Sequence, residues 1–159
     1  MRSRSRICDW STVMLFLVLL GAMYTNAEED PLVRQSRKAG VTVTVTPLPL
    51  WSQNDEGSGE EVLRFRISMD THAGTLLGYD IAGNAVLRTD QTEMSGGFDW
   101  VPLSESSHHR TGILRVRNFH ENRAILHEGS AFLELDFEGD PRLSRTFRWP
   151  AHDLILLLR

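Results

Sequence analysis

Between Val41 and Thr46 apolar and polar residues alternate without exception, with valines at 41, 43 and 45 and threonines between them. A period of two puts β-branched side chains on one face of a half-buried strand. Pro47 and Pro49 end the interior of that strand or hold its continuation to a sheet edge. The same period returns from Val62 to Asp70. Leu63, Phe65, Ile67 and Met69 share one side, and Arg64, Arg66 and Ser68 take the other. It returns again after Ala131, where Ala131, Leu133, Leu135 and Phe137 oppose Phe132, Glu134 and Asp136. Weaker strands fit Asn84 to Thr89, Phe98 to Val101, Gly112 to Arg117 and Leu143 to Trp149.

Turn-forming residues separate these runs. Ser52 to Glu61 holds no apolar residue to bury, and Glu138 to Pro141 reads as a tight turn. No long stretch follows a 3.6-residue period. About seven short strands of this kind predict an immunoglobulin-like antiparallel β-sandwich, a single domain over residues 41–159. Glu28 to Gly40 is polar without apolar rhythm and is expected to be a flexible polar lead. At the other end, Leu154 to Leu158 follows Pro150 as five apolar residues in a row. A final buried strand is the favoured reading there, and an exposed edge that seeks a partner is the alternative. Trp100 and Trp149 are expected to anchor the core.

The N-terminus changes the picture. Arg2, Arg4 and Arg6 precede the apolar run Val13 to Tyr24, and small residues stand at Thr25 and Ala27. This is the three-part pattern of a secretory signal peptide, with cleavage after Ala27. A run of that length is too short for a bilayer core, which needs about 20 residues. The reading is therefore an exported protein, periplasmic or extracellular, with no membrane insertion after cleavage. An uncleaved signal anchor that tethers the chain to the membrane is the alternative. The single cysteine, Cys8, lies before the apolar run, so the mature chain forms no disulfide and depends on its hydrophobic core. Losing three arginines and Asp9 with the leader takes the formal net charge from −4 to −6. An acidic chain without a basic cluster in sequence argues against nucleic acid.

Candidate chemistry centres on histidine. In M-D-T-H, Asp70 and His72 stand two apart at the end of a strong strand, so both side chains point the same way if the strand persists. His108, His109 and Arg110 precede another strand. If the two stretches meet, His72 with His108 or His109 could bind copper or zinc, with Met69 or Met94 as weaker ligands that favour copper. The competing reading makes Asp70, His72 and Arg110 a hydrogen-bonded latch between loops. Met69 itself fits the core better than a metal. Ser104, Ser106 and Ser107 lie near histidines but form no G-x-S-x-G elbow. His120, His127 and His152 read as ordinary polar residues, and Asp80, Asp90 and Asp99 as turn residues too widely spaced for a calcium loop.

The ordered set M-D-T-H, G-Y-D, A-V-L-R-T-D, W-V-P, H-H-R-T-G-I-L and F-R-W, from Leu63 to Trp149, resembles a group of uncharacterised secreted bacterial proteins. The resemblance implies a small exported β-sandwich. It marks His72, His108, His109 and Arg110 as positions typical of the group, and it brings no activity with it. The chain departs from the group at Ala73-Gly74-Thr75, where Ser-Val-Asp is common, and at Ser107, where glycine is common.

The sequence thus points to an exported, non-enzymatic binding or interaction module, with a transition metal as a possible ligand. The alternative is a structural accessory domain of a cell-envelope assembly. Its partner would meet an edge strand or the tail Leu154 to Leu158, and its Asp/His/Arg cluster would be a latch. A hydrolase is a third, weaker option, because no nucleophile–base pair is visible in sequence.

Overall fold

The structure is a computed structural model, and it describes residues 30–50 and 61–158. The signal-peptide reading of residues 1–27 lies outside the described residues, as does most of the turn read at Ser52 to Glu61. Among the described residues nine strands follow in order: β1 Arg34–Lys38, β2 Val41–Leu48, β3 Val62–Thr71, β4 Ala85–Thr89, β5 Glu93–Ser95, β6 Asp99–Glu105, β7 His109–Arg117, β8 Phe132–Phe137 and β9 Arg145–Pro150. A short helix, α1 Ala151–Leu154, follows β9.

The strands form two antiparallel sheets. One has the order β1-β2-β3-β7-β6 and the other β5-β4-β8-β9. Neither closes into a barrel, and the all-β, two-sheet architecture is that of a sandwich. Alternation builds the interior. Val41, Val43 and Val45 of β2 and Leu63, Phe65, Ile67 and Met69 of β3 are buried, while their neighbours in each strand face outward. Leu133, Leu135 and Phe137 of β8 and Phe147 and Trp149 of β9 meet them from the second sheet. The Phe65 and Trp149 rings lie 6.1 Å apart across the interface, within the range of favourable aromatic pairs. The Trp149 indole N–H donates to the Leu32 carbonyl at 2.7 Å, so the buried ring leaves no polar atom unpaired. Trp100 is only partly buried and packs at the margin of the core.

Two expectations are corrected. The lead from Glu28 to Gly40 carries a strand, β1, paired along its length with β2 from Arg34↔Val45 to Lys38↔Val41. Ala39 and Gly40 join the two as a two-residue hairpin with φ of 49° and 76°, the conformation whose twist suits a tight antiparallel pair. The tail is not a strand. Ala151 to Leu154 is helical, and Leu154 and Leu157 are buried while Ile155 and Leu156 are exposed. Burial three residues apart is a helical spacing, and the Leu50 N–H bonds to the Leu157 carbonyl at 3.0 Å, which ties the segment to the end of β2.

Candidate functional site

The stretch Ser106 to His109 is the hairpin between β6 and β7. Ser106 N–H donates to the His109 carbonyl at 2.7 Å, and His109 N–H donates to Ser106 Oγ at 3.0 Å. The segment that follows β3 folds over this hairpin, with Thr71 N–H on the His108 carbonyl at 2.9 Å and Leu76 N–H on the Ser107 carbonyl at 2.8 Å. The two regions singled out in sequence are therefore in contact, and strand register decides which side chains meet.

That register pairs Asp70 directly with His109. His109 Nδ1 lies 2.6 Å from Asp70 Oδ1, and His109 Nε2 lies 2.8 Å from Thr111 Oγ1. Thr111 is linked to Ser68 at 3.4 Å, and Ser68 Oγ donates to Asp70 Oδ2 at 3.3 Å. Two positions on each of two neighbouring strands thus form a closed ring on the outer face of the sheet. With Ser68 donating to Asp70, the single Thr111 hydroxyl proton serves either Ser68 or His109 Nε2, and Nε2 accepts it when the proton of the ring sits on Nδ1 against the carboxylate. The side chains of His109 and Asp70 are 45% and 51% exposed, which limits the contact to a small stabilisation.

Arg110 follows His109 and so points to the opposite face, into the sandwich. It is buried. Its Nε and Nη2 donate to Glu105 Oε1 at 2.9 and 2.5 Å, and its Nη1 donates to the carbonyls of Leu76 and Tyr79 at 3.2 and 2.6 Å. Trp100 Nε1 donates to the same Glu105 oxygen at 3.1 Å, and the guanidinium carbon lies 5.9 Å from the Trp100 ring centre. The Arg110 hydrogen bond, and then that of Trp100, hold the Glu105 carboxyl below its ordinary pKa. One side chain therefore fastens β6, β7 and the 72–79 segment together.

These contacts revise the predicted cluster. Asp70 partners His109 and not His72, because β3 ends at Thr71 and His72 starts the loop beyond it. His72 and His108 are both exposed. Asp70 and Arg110 do not belong to one latch, since they serve separate contacts on the two sides of the sheet. Met69 is fully buried and Met94 nearly so, both within the hydrophobic core, which removes the weaker metal ligands. Among the described residues no three or more His, Cys, Asp or Glu side chains converge as a metal would require.

Sequence reasoning missed Glu105, Thr111, Ser68 and Tyr79. It also missed Arg145, buried at the start of β9, whose guanidinium donates to the carbonyls of Leu143, Ser36, Val41 and Arg142. The available signal was the same for both arginines. Arg110 precedes Gly112, Leu114 and Val116 at period two, and Arg145 precedes Phe147 and Trp149, so each begins an inward-facing row. A cleft of about 330 Å³ lies between the β7–β8 connection and the C-terminal segment, lined by His127, Glu128, Ser130, Leu154, Ile155 and Leu158 among others. Among the described residues no helix is long and apolar enough to cross a membrane.

A comparison with protein-family models gives no match, and a comparison with curated proteins gives none either.

Proposed function

We propose that the chain is an exported, non-enzymatic interaction module in which the Asp70–His109 and Glu105–Arg110 pairs fasten loops and bind no metal. The observation that carries this reading is saturation. Both ring nitrogens of His109 and all three nitrogens of the Arg110 guanidinium already have partners within the fold. A metal at His109 would have to displace Asp70 or Thr111. Export rests on the N-terminal pattern of basic, apolar and small residues. A titration of the purified mature domain with copper and with zinc tests the reading, followed by thermal unfolding and histidine NMR. Unchanged melting and unchanged ring signals are expected; stabilisation with shifted signals of His72, His108 or His109 would replace the latch by a metal site.

A hydrolase remains a second reading because the contacts from Thr111 through His109 to Asp70 match a hydroxyl–imidazole–carboxylate chain. In that reading Thr111 Oγ1 attacks an ester carbonyl while its proton passes to His109 Nε2; the C–O bond to the alcohol then breaks, the alcohol leaves with that proton, and water hydrolyses the acyl-Thr111 ester. The argument against it is electrostatic. The ring lies on an open sheet face where the backbone N–H groups of β3 and β7 serve the strand ladder, and acyl transfer needs donors aimed at the developing oxyanion. Assay with an activated aryl ester decides the matter: turnover lost in Thr111→Ala and His109→Ala would establish the hydrolase.

A further inference from the structure

His127 to Ser130, in the connection between β7 and β8, form a tight turn. Ser130 N–H donates to the His127 carbonyl at 3.0 Å, and His127 N–H donates to Ser130 Oγ at 3.1 Å. Gly129 N–H donates to His127 Nδ1 at 3.0 Å. A Cβ at Gly129 would stand 3.1 Å from His127 Cε1, so the turn lies close against the ring and fixes it. A ring nitrogen that accepts carries no proton, and the neutral imidazole therefore bears its proton on Nε2.

This turn forms one side of the cleft of about 330 Å³, and Leu154, Ile155 and Leu158 form the other. Such a volume lies at the small end of ligand pockets, which span about 300 to 1,000 Å³. Exposed Glu128 and Ile155 line it together with buried Ser130 and Leu154, so it runs from the surface to the edge of the core. Two lining residues hold unused donors. Ser130 is 4% exposed. Its Oγ accepts from the His127 N–H, and among the described residues nothing accepts its own proton. His127 Nε2–H likewise has no acceptor among the described residues. A buried donor costs free energy until an acceptor meets it. Water can serve in the free protein, and a ligand oxygen can take its place.

Charge selects the head group. Among the described lining residues there is a carboxylate, Glu128, and no lysine or arginine. An anionic head would enter beside a like charge with no counter-ion. A cationic head would meet the two donors with the wrong sign, and exposed Glu128 would hold it only weakly. An amide satisfies every group. Its carbonyl accepts from donors, and its N–H can reach a carboxylate.

We infer that the cleft binds a small uncharged amphiphile, an aliphatic chain that ends in an amide. The carbonyl accepts from Ser130 Oγ and His127 Nε2, the amide N–H faces Glu128, and the chain lies along Leu154, Ile155 and Leu158. The inference goes beyond the interaction-module reading and uses neither the Asp70–His109 pair nor the Glu105–Arg110 pair.

The test titrates the ¹⁵N-labelled full chain with octanamide, followed by amide NMR, with octanoate and octylamine as the anionic and cationic analogues. Octanamide should first shift signals of residues 127–130 and 151–158, and should bind at least about ten-fold tighter than either analogue. Ser130→Ala should weaken octanamide about five-fold, the loss of one neutral hydrogen bond. Ser130 also holds the His127 N–H, so Glu128→Gln, at an exposed position, decides if that variant fails to fold. With Glu128→Gln, octanoate should gain several-fold while octanamide stays within about two-fold. No binding, shifts spread over the rest of the sandwich, a charged analogue that matches octanamide, or octanamide binding unchanged in folded Ser130→Ala would each overturn the inference. None of these outcomes bears on the metal titration or the ester assay.

Discussion

Arg145 at the start of β9 donates from Nη1 to the carbonyl of Ser36 on β1 at 2.8 Å, and so clasps one sheet to the edge of the other. The same nitrogen reaches the Val41 carbonyl at 3.3 Å, while Nε serves Leu143. Its hydrogen-bond acceptors are backbone carbonyls, and burial pushes its pKa down. Removing such a hub strands several buried acceptors. Arg145→Met is expected to lower unfolding stability by about 3 kcal/mol in urea titration. Arg145→Lys should recover little of it, because a single ammonium cannot span carbonyls on β1, β2 and the β8–β9 turn.

A second dependence is steric. Gly112 on β7 faces the Trp100 ring, and a Cβ there would lie 2.5 and 2.6 Å from two ring carbons and 2.5 Å from the Val101 carbonyl oxygen. Backbone and ring cannot both yield, since Trp100 is held by Glu105 on one side and by the core on the other. Gly112→Ala should cost roughly 2 kcal/mol or more through overpacking and should change the tryptophan emission of the folded state.

The sequence pattern carried the fold where burial is one-sided, and failed where it is not. β2, β3 and β8 alternate, and each was visible from its residues alone. β1 reads R-Q-S-R-K, with no apolar residue, because it is an edge strand whose stability comes from its ladder with β2. β5 is three residues long and shows only Met94 to the core, so it too escaped notice. The tail misled for the opposite reason: five apolar residues in succession fit either a buried strand or a helical turn, and burial of Leu154 and Leu157 selects the turn. At the site, the sequence offered the meeting of the Asp70 and His109 regions only as a condition, and their pairing depends on strand register, which no local spacing encodes. The opposed facing of His109 and Arg110 follows from alternation along β7.

The two pairs of the site should prove unequal. Arg110 is buried and holds the carbonyls of Leu76 and Tyr79 besides the partly exposed Glu105 carboxylate, whereas Asp70 and His109 are about half exposed. Removing Arg110 leaves those two carbonyls without their donor; breaking an exposed pair exchanges it for water. Arg110→Met is therefore expected to cost about 3 kcal/mol, and Asp70→Asn less than about 1 kcal/mol. A double-mutant cycle with Glu105→Gln should show clear coupling to Arg110 and none to Asp70, measured by chemical denaturation.

Tyr79 ties the site to alkaline stability. Its hydroxyl donates to the Glu138 carbonyl at 2.8 Å. Burial, and then the negative charge of Asp140, push its pKa well above the ordinary tyrosine value. A phenol whose folded pKa is raised contributes stability that is complete below the unfolded pKa, near 10 for tyrosine. That contribution drains away as pH rises from there toward the folded value, because the unfolded chain releases the proton first. Stability should thus fall above about pH 10, in step with delayed appearance of phenolate absorbance. Tyr79→Phe loses the bond to Glu138 and should be about 1 kcal/mol less stable at neutral pH. It carries no proton to release, so its stability curve and that of the native chain should converge at high pH. Parallel curves across the alkaline range would show that Tyr79 does not govern the loss.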